Sequence, residues 1–93
     1  MEIVKISAIW CPSCIIMNDI VKEVSDELNI LLTEYDYDMD EDIVKNYNPG
    51  KILPVMIFME NGQELFRMIG ENSKTKLIQR IEEVSRKWKN GLT

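Results

Sequence analysis

The 93-residue chain has no histidine, only two cysteines, three prolines and four glycines. Without histidine it lacks the side chain that titrates nearest neutral pH, which is also a common nitrogen ligand for metals. Two cysteines cannot build the framework of structural disulfides that staples small secreted domains. No stretch approaches the ~20 apolar residues that a membrane-spanning helix needs. The first residues have neither the basic start nor the apolar core of a secretion signal. These absences point to the cytosol and set no membrane among the expected partners. Positive charge is also scarce: 11 basic residues stand against 16 acidic ones, for a net charge of −5. Nucleic acid is therefore not an expected partner, because its phosphates would be repelled. Lys74, Lys76 and Arg80 come nearest to a basic patch, and they read as the solvated face of a helix.

What is present is an ordinary apolar fraction of 45%, enough for one small core in one domain over residues 1–93. Glu2 to Ile9 is apolar and β-branched, which predicts a strand. Met17, Ile20, Val21, Val24 and Leu28 then recur at helical spacing within a segment ending at Asn29. Ile30 to Tyr37 reads as a second strand, and Asp40 is placed to cap a short helix that Asn48-Pro49-Gly50 would stop. Pro54 to Met59 is a nearly unbroken apolar run, as in a strand covered on both faces. Asn61-Gly62 signals a hairpin into a strand from Glu64 to Ile69. Ser73 can cap a last helix whose apolar stripe is Leu77, Ile81, Val84 and Trp88. The order β-α-β-α-β-β-α predicts an α/β fold: a mixed four-stranded sheet, its first two strands parallel and its last two antiparallel, with helices on both faces.

The two cysteines stand three apart in Trp10-Cys11-Pro12-Ser13-Cys14, where the first strand gives way to a helix. Pro12 suits the first helical position, because the N–H it lacks is one the helix leaves unpaired. Free backbone N–H groups and the positive end of the helix dipole would then face the Cys11 sulfur. That setting favours a thiolate, the form that attacks disulfides. Cys14, one turn on, is placed to attack a mixed disulfide at Cys11 and release the reduced substrate. Two other readings stand beside this one. The pair is half a zinc site, although tetrahedral zinc needs four N or S ligands and the chain has no other cysteine and no histidine; a metal- or cluster-binding homodimer would have to supply the rest. The pair could also be inert, packed as two small apolar residues.

Taken together, these residues resemble the thioredoxin superfamily over nearly the whole chain, and its thioredoxin branch more than its glutaredoxin branch. Trp10 is similar to the tryptophan that precedes the first active-site cysteine in thioredoxins. Leu53-Pro54-Val55 opens the third strand where the family carries a cis proline, and Asn61-Gly62, Gly70 and Ser73-Lys74 keep the thioredoxin spacing. The resemblance implies a protein disulfide reductase with Cys11 as nucleophile and Cys14 as resolving thiol. Trp10, Pro12 and the Leu53–Pro54 backbone would contact an extended substrate segment. It implies no bound cofactor and a monomer, with electrons from a separate enzyme of the thioredoxin-reductase type rather than from glutathione. Three departures stand out. Thioredoxins begin with an additional strand and helix, and they carry Gly-Pro where this chain has Pro12-Ser13. They also bury an aspartate beneath the cysteines with a lysine on the adjacent strand, whereas the matching positions here are Lys5 and Glu34. Lys5 either pairs with Glu34 near Cys14, where it could help move a proton, or snorkels to the surface and leaves Glu34 in water. The acidic run from Asp36 to Asp42 lacks calcium-loop spacing and reads as a solvated turn.

Overall fold

The computed structural model describes the backbone of residues 1–91 and the side chains of residues 1–86. The side chain of Trp88, assigned to the last helix's apolar stripe, lies outside the described residues. Chain order is β1 (Glu2–Ser7), α1 (Pro12–Leu28), β2 (Leu31–Asp36), α2 (Glu41–Val44, continued by a 3-10 turn over Lys45–Tyr47), β3 (Val55–Glu60), β4 (Gln63–Ile69) and α3 (Lys74–Gly91). The strands form one sheet in the order β2-β1-β3-β4. β1 and β2 are parallel, while β3 runs antiparallel to both β1 and β4. A strand joined to its parallel neighbour through a helix is the expected crossover unit, and Asn61-Gly62 closes the β3–β4 hairpin with both residues at positive φ.

Side-chain alternation divides the core into two layers. Ile3, Met56 and Phe58 point to one face, where Met17, Val21 and Val24 of α1 and Leu77 and Ile81 of α3 cover them. Val4, Ile6, Val55 and Ile57 point to the other, where Val44 of α2 packs with Ala8, Cys11, Cys14 and Leu53. Both cysteines therefore belong to the α2-side layer, at the end of the sheet.

Two details differ from the sequence reading. β1 ends at Ser7 rather than Ile9, because the chain turns there: the Cys11 N–H bonds back to the Ala8 carbonyl at 3.2 Å, and Ile9 is 84% exposed. Asp40 does stand at the start of α2, but its carboxylate makes no capping bond to that helix. It accepts the Asp36 N–H at 2.9 Å instead, holding the preceding turn. Ser73 caps as expected, its hydroxyl accepting the Lys76 N–H at 3.1 Å.

Candidate active site

The site forms where β1 hands over to α1. Cys11 is the N-cap of α1, extended in backbone (φ −101°, ψ 109°), and Pro12 begins the helix. The helix therefore starts one residue after the first cysteine, which sets that sulfur at its N-terminal end. The Cys14 N–H donates to Cys11 Sγ at 3.3 Å. Across the site, Cys11 Sγ lies 3.6 Å from the Leu53 carbonyl oxygen, to which its thiol donates. The Leu53–Pro54 peptide is cis, as the resemblance implies. The Pro54 carbonyl is held in turn by the Gly70 N–H at 2.8 Å.

The two thiols are free and unequal. Cys11 keeps 6% of its surface and Cys14 only 1%, so an incoming disulfide has access to Cys11 first. Burial, followed by the hydrogen bond it shares with Cys11, pushes the Cys14 thiol up to about 11. An Ala8 backbone contact and the charge of Lys5 pull the other way.

Lys5 resolves the two readings of its position in favour of pairing. It is 1% exposed, and its ammonium lies 2.7 Å from Glu34 Oε1, with the two residues in direct register on β1 and β2. It also donates to Asn18 Oδ1. Asn18 follows Cys14 by four residues, so the two share a face of α1. The ammonium is thus tied to the helix that carries Cys14. Glu34 is itself 55% exposed, which joins the buried cation to solvent.

Several residues that flank the site in the chain are apolar and exposed. Trp10 is 60% exposed, and its indole N–H donates to Asp38 Oδ2 at 2.7 Å. Its ring meets Tyr37 edge-on, with centroids 6.3 Å apart. Ile9 and Ile52 are exposed beside Cys11 and Leu53 in the chain, and Ile69 is half exposed before Gly70. Pro12 is exposed at the first turn, and Ser13 donates to Glu71 at 3.1 Å. The resemblance did not supply Asn18, Asp38 or Glu71. Helical spacing from Cys14 is the one signal that could have found Asn18; Asp38 and Glu71 meet their partners from 28 and 58 residues away. Among the described residues no group of three or more His, Cys, Asp or Glu side chains is arranged to hold a metal ion. None of the described helices is long and apolar enough to cross a membrane.

A pair of free thiols at a helix start, beside a cis proline, is a geometry suited to dithiol–disulfide exchange. Comparison with known proteins agrees. The family model for thioredoxin matches residues 1–83. Thioredoxins of Mycobacterium bovis and Mycobacterium tuberculosis are 24% identical over 79 residues, covering 83% of this chain and 67% of theirs. The structure of a Fasciola hepatica thioredoxin superposes with a TM-score of 0.79 at 26% identity, covering 88% of this chain and 78% of that one. A reduced Schistosoma mansoni thioredoxin gives a TM-score of 0.78 at 25% identity over 89% and 77% of the two chains. Thioredoxin 1 of Thermosipho africanus shares the fold alone, with a TM-score of 0.79 at 18% identity over 92% and 99%. The chain belongs to the thioredoxin family and, by that membership, is a thiol–disulfide oxidoreductase.

Proposed function

We propose that the protein reduces disulfides in polypeptide substrates, with Cys11 attacking and Cys14 resolving. The observation that carries this reading is the inequality of the two thiols around one helix start: Cys11 is the more accessible and receives the Cys14 N–H, while Cys14 is sealed beneath it.

The Cys11 thiolate attacks one sulfur of the substrate disulfide. A Cys11–substrate disulfide forms, and the other substrate sulfur leaves as a thiolate that takes up a proton. Cys14 then loses its proton and attacks Cys11 Sγ. The intramolecular disulfide forms, the second substrate thiol departs, and two electrons have passed to the substrate. A separate reductase of the thioredoxin-reductase type restores the dithiol, in a reducing compartment such as the cytosol.

Substrate is held in extended form on the Leu53–Pro54 backbone, a local strand addition, with Trp10 and Pro12 forming the apolar rim. Lys5 and Glu34 act as positioning residues for the second step. Their work is to ease the departure of the Cys14 proton, since that thiol is raised to about 11 and is almost wholly protonated at neutral pH. The Lys5 charge already opposes the rise, which supports this reading.

The test is insulin reduction by the purified protein with dithiothreitol, and with thioredoxin reductase plus NADPH. Turnover in both assays that disappears in Cys11→Ser is expected. A wild-type protein that leaves insulin intact in both would refute the reading and favour a redox-inactive binding module.

A further inference from the structure

Beside Trp10 lies a cavity of about 440 Å³ that the exchange chemistry does not use. Tyr37, Val44 and Pro49 give it apolar walls, and Asp38 and Glu41 add carboxylates. Its one cation, Lys45, has a partner already, its ammonium lying 3.8 Å from Asp42. The Glu41 carboxylate, exposed at the start of α2, has no hydrogen bond or ion pair among the described residues. The cavity is continuous with the reactive site in two ways. Asp38 holds the Trp10 indole through one oxygen, and Tyr37 touches the Trp10 ring. Val44, at its inner wall, belongs to the same buried cluster as Cys11 and Leu53.

We propose that this cavity is a specificity pocket for an arginine side chain of the substrate polypeptide. The inference rests on the exchange reading above and adds the class of substrate it prefers. A guanidinium is flat and weakly hydrated, it forms paired hydrogen bonds with carboxylates, and it stacks on aromatic faces. A wall carrying Tyr37 and two carboxylates offers all of these contacts. A lysine ammonium would use only the charge. The volume falls within the roughly 300–1,000 Å³ typical of side-chain and small-ligand clefts. A substrate strand lying on Leu53–Pro54 and passing Trp10 brings a residue flanking its cysteine to the mouth of the pocket. Acidic segments would meet Asp38 and Glu41 and be repelled.

The experiment uses the full chain and a set of synthetic peptide disulfides. Each carries arginine, its neutral isostere citrulline, or glutamate at one of the three positions on either side of a cysteine. Reduction is followed with dithiothreitol regenerating the enzyme. At one position the arginine peptide is expected to exceed its citrulline counterpart about fivefold in kcat/KM, the upper end of what an exposed ion pair contributes. The difference should appear in KM. Glu41→Lys should abolish that preference, bringing the arginine peptide level with its citrulline counterpart or below it; Glu41 is exposed, so its replacement leaves the core intact. Equal rates for arginine and citrulline at every position would overturn the pocket and leave the exchange reading standing. So would a preference that survives Glu41→Lys. Failure to reduce any of the peptides would overturn the exchange reading and the pocket with it.

Discussion

Replacing Lys5 with methionine separates the chemical part of this account from the structural part. Lys5 is 1% exposed, while its partner Glu34 is 55% exposed and Asn18 faces solvent. Burying a charge costs several kcal/mol, and an apolar residue of similar volume often restores that or leaves stability level. Methionine has nearly the length of lysine, and both abandoned partners can turn to water. Lys5→Met should therefore fall within about 1 kcal/mol of the parent or exceed it, rather than losing the 3–5 kcal/mol typical of a broken pair with both members buried. The kinetic effect has the opposite sign. The Lys5 charge lowers the Cys14 thiol against the burial that raises it, so removing that charge lets Cys14 rise further. For each unit of rise the thiolate fraction falls tenfold, while each remaining thiolate becomes about threefold more nucleophilic. The net effect is a slowing of about threefold per unit. Ellman's reagent reads the step directly in stopped flow: Cys11 releases one thionitrobenzoate, and Cys14 releases the second. The second phase should slow in Lys5→Met below pH 9 and recover in Lys5→Arg, with the first phase unchanged. A second phase unaltered across pH 6–9 would refute a role for Lys5 in resolution, whatever happens to stability.

The Cys14 thiol also fixes a pH dependence of stability. Its folded value, about 11, lies above the 9.0 of an unperturbed thiol. Its contribution is thus fully present below pH 9 and is lost as pH rises through 11. The loss reaches about 3 kcal/mol, and urea titrations of reduced protein between pH 8 and 11 should lose that much more stability than those of Cys14→Ala, in which only the raised Tyr47 and Lys74 remain. Ile57 is fully buried at the centre of the sheet, so Ile57→Ala should cost about 2–5 kcal/mol in the same assay. Leu31, 67% exposed on the edge strand, should change stability by under about 0.5 kcal/mol when replaced by alanine. Trp10→Ala should raise KM for insulin roughly tenfold, as loss of an exposed aromatic anchor does, and leave the rate with Ellman's reagent nearly unchanged.

The sequence disclosed most of this arrangement because its signals were periodic or local. The apolar, β-branched run of β1, the nearly unbroken apolar run of β3 and the i, i+3/i+4 stripes of α1 and α3 were enough to order the elements. The resemblance to thioredoxins matched Lys5 with Glu34, and the parallel register of β1 and β2 sets the two level. The end of β1 was less legible, since Ala8, Ile9 and Trp10 stay apolar after the chain has left the sheet. Apolar residues in an exposed rim look no different from those in a core. Asp40 shows the limit of capping rules: the residue type fits, but a backbone N–H of the preceding turn takes its carboxylate. The bonds from Trp10 to Asp38, from Ser13 to Glu71 and from Lys5 to Asn18 depend on how distant elements pack. No local pattern encodes the first two, and for the third only the helical spacing of Asn18 from Cys14 gives a hint.

The central claim is the division of labour between the two sulfurs. Its most direct test is trapping: Cys14→Ser and Cys11→Ser variants are each mixed with a protein disulfide and analysed by intact-mass spectrometry without reductant. Cys14→Ser should accumulate a stable mixed disulfide through Cys11, and Cys11→Ser should remain unmodified. A mixed disulfide at Cys14 in the Cys11→Ser protein, formed at a comparable rate, would contradict the assignment.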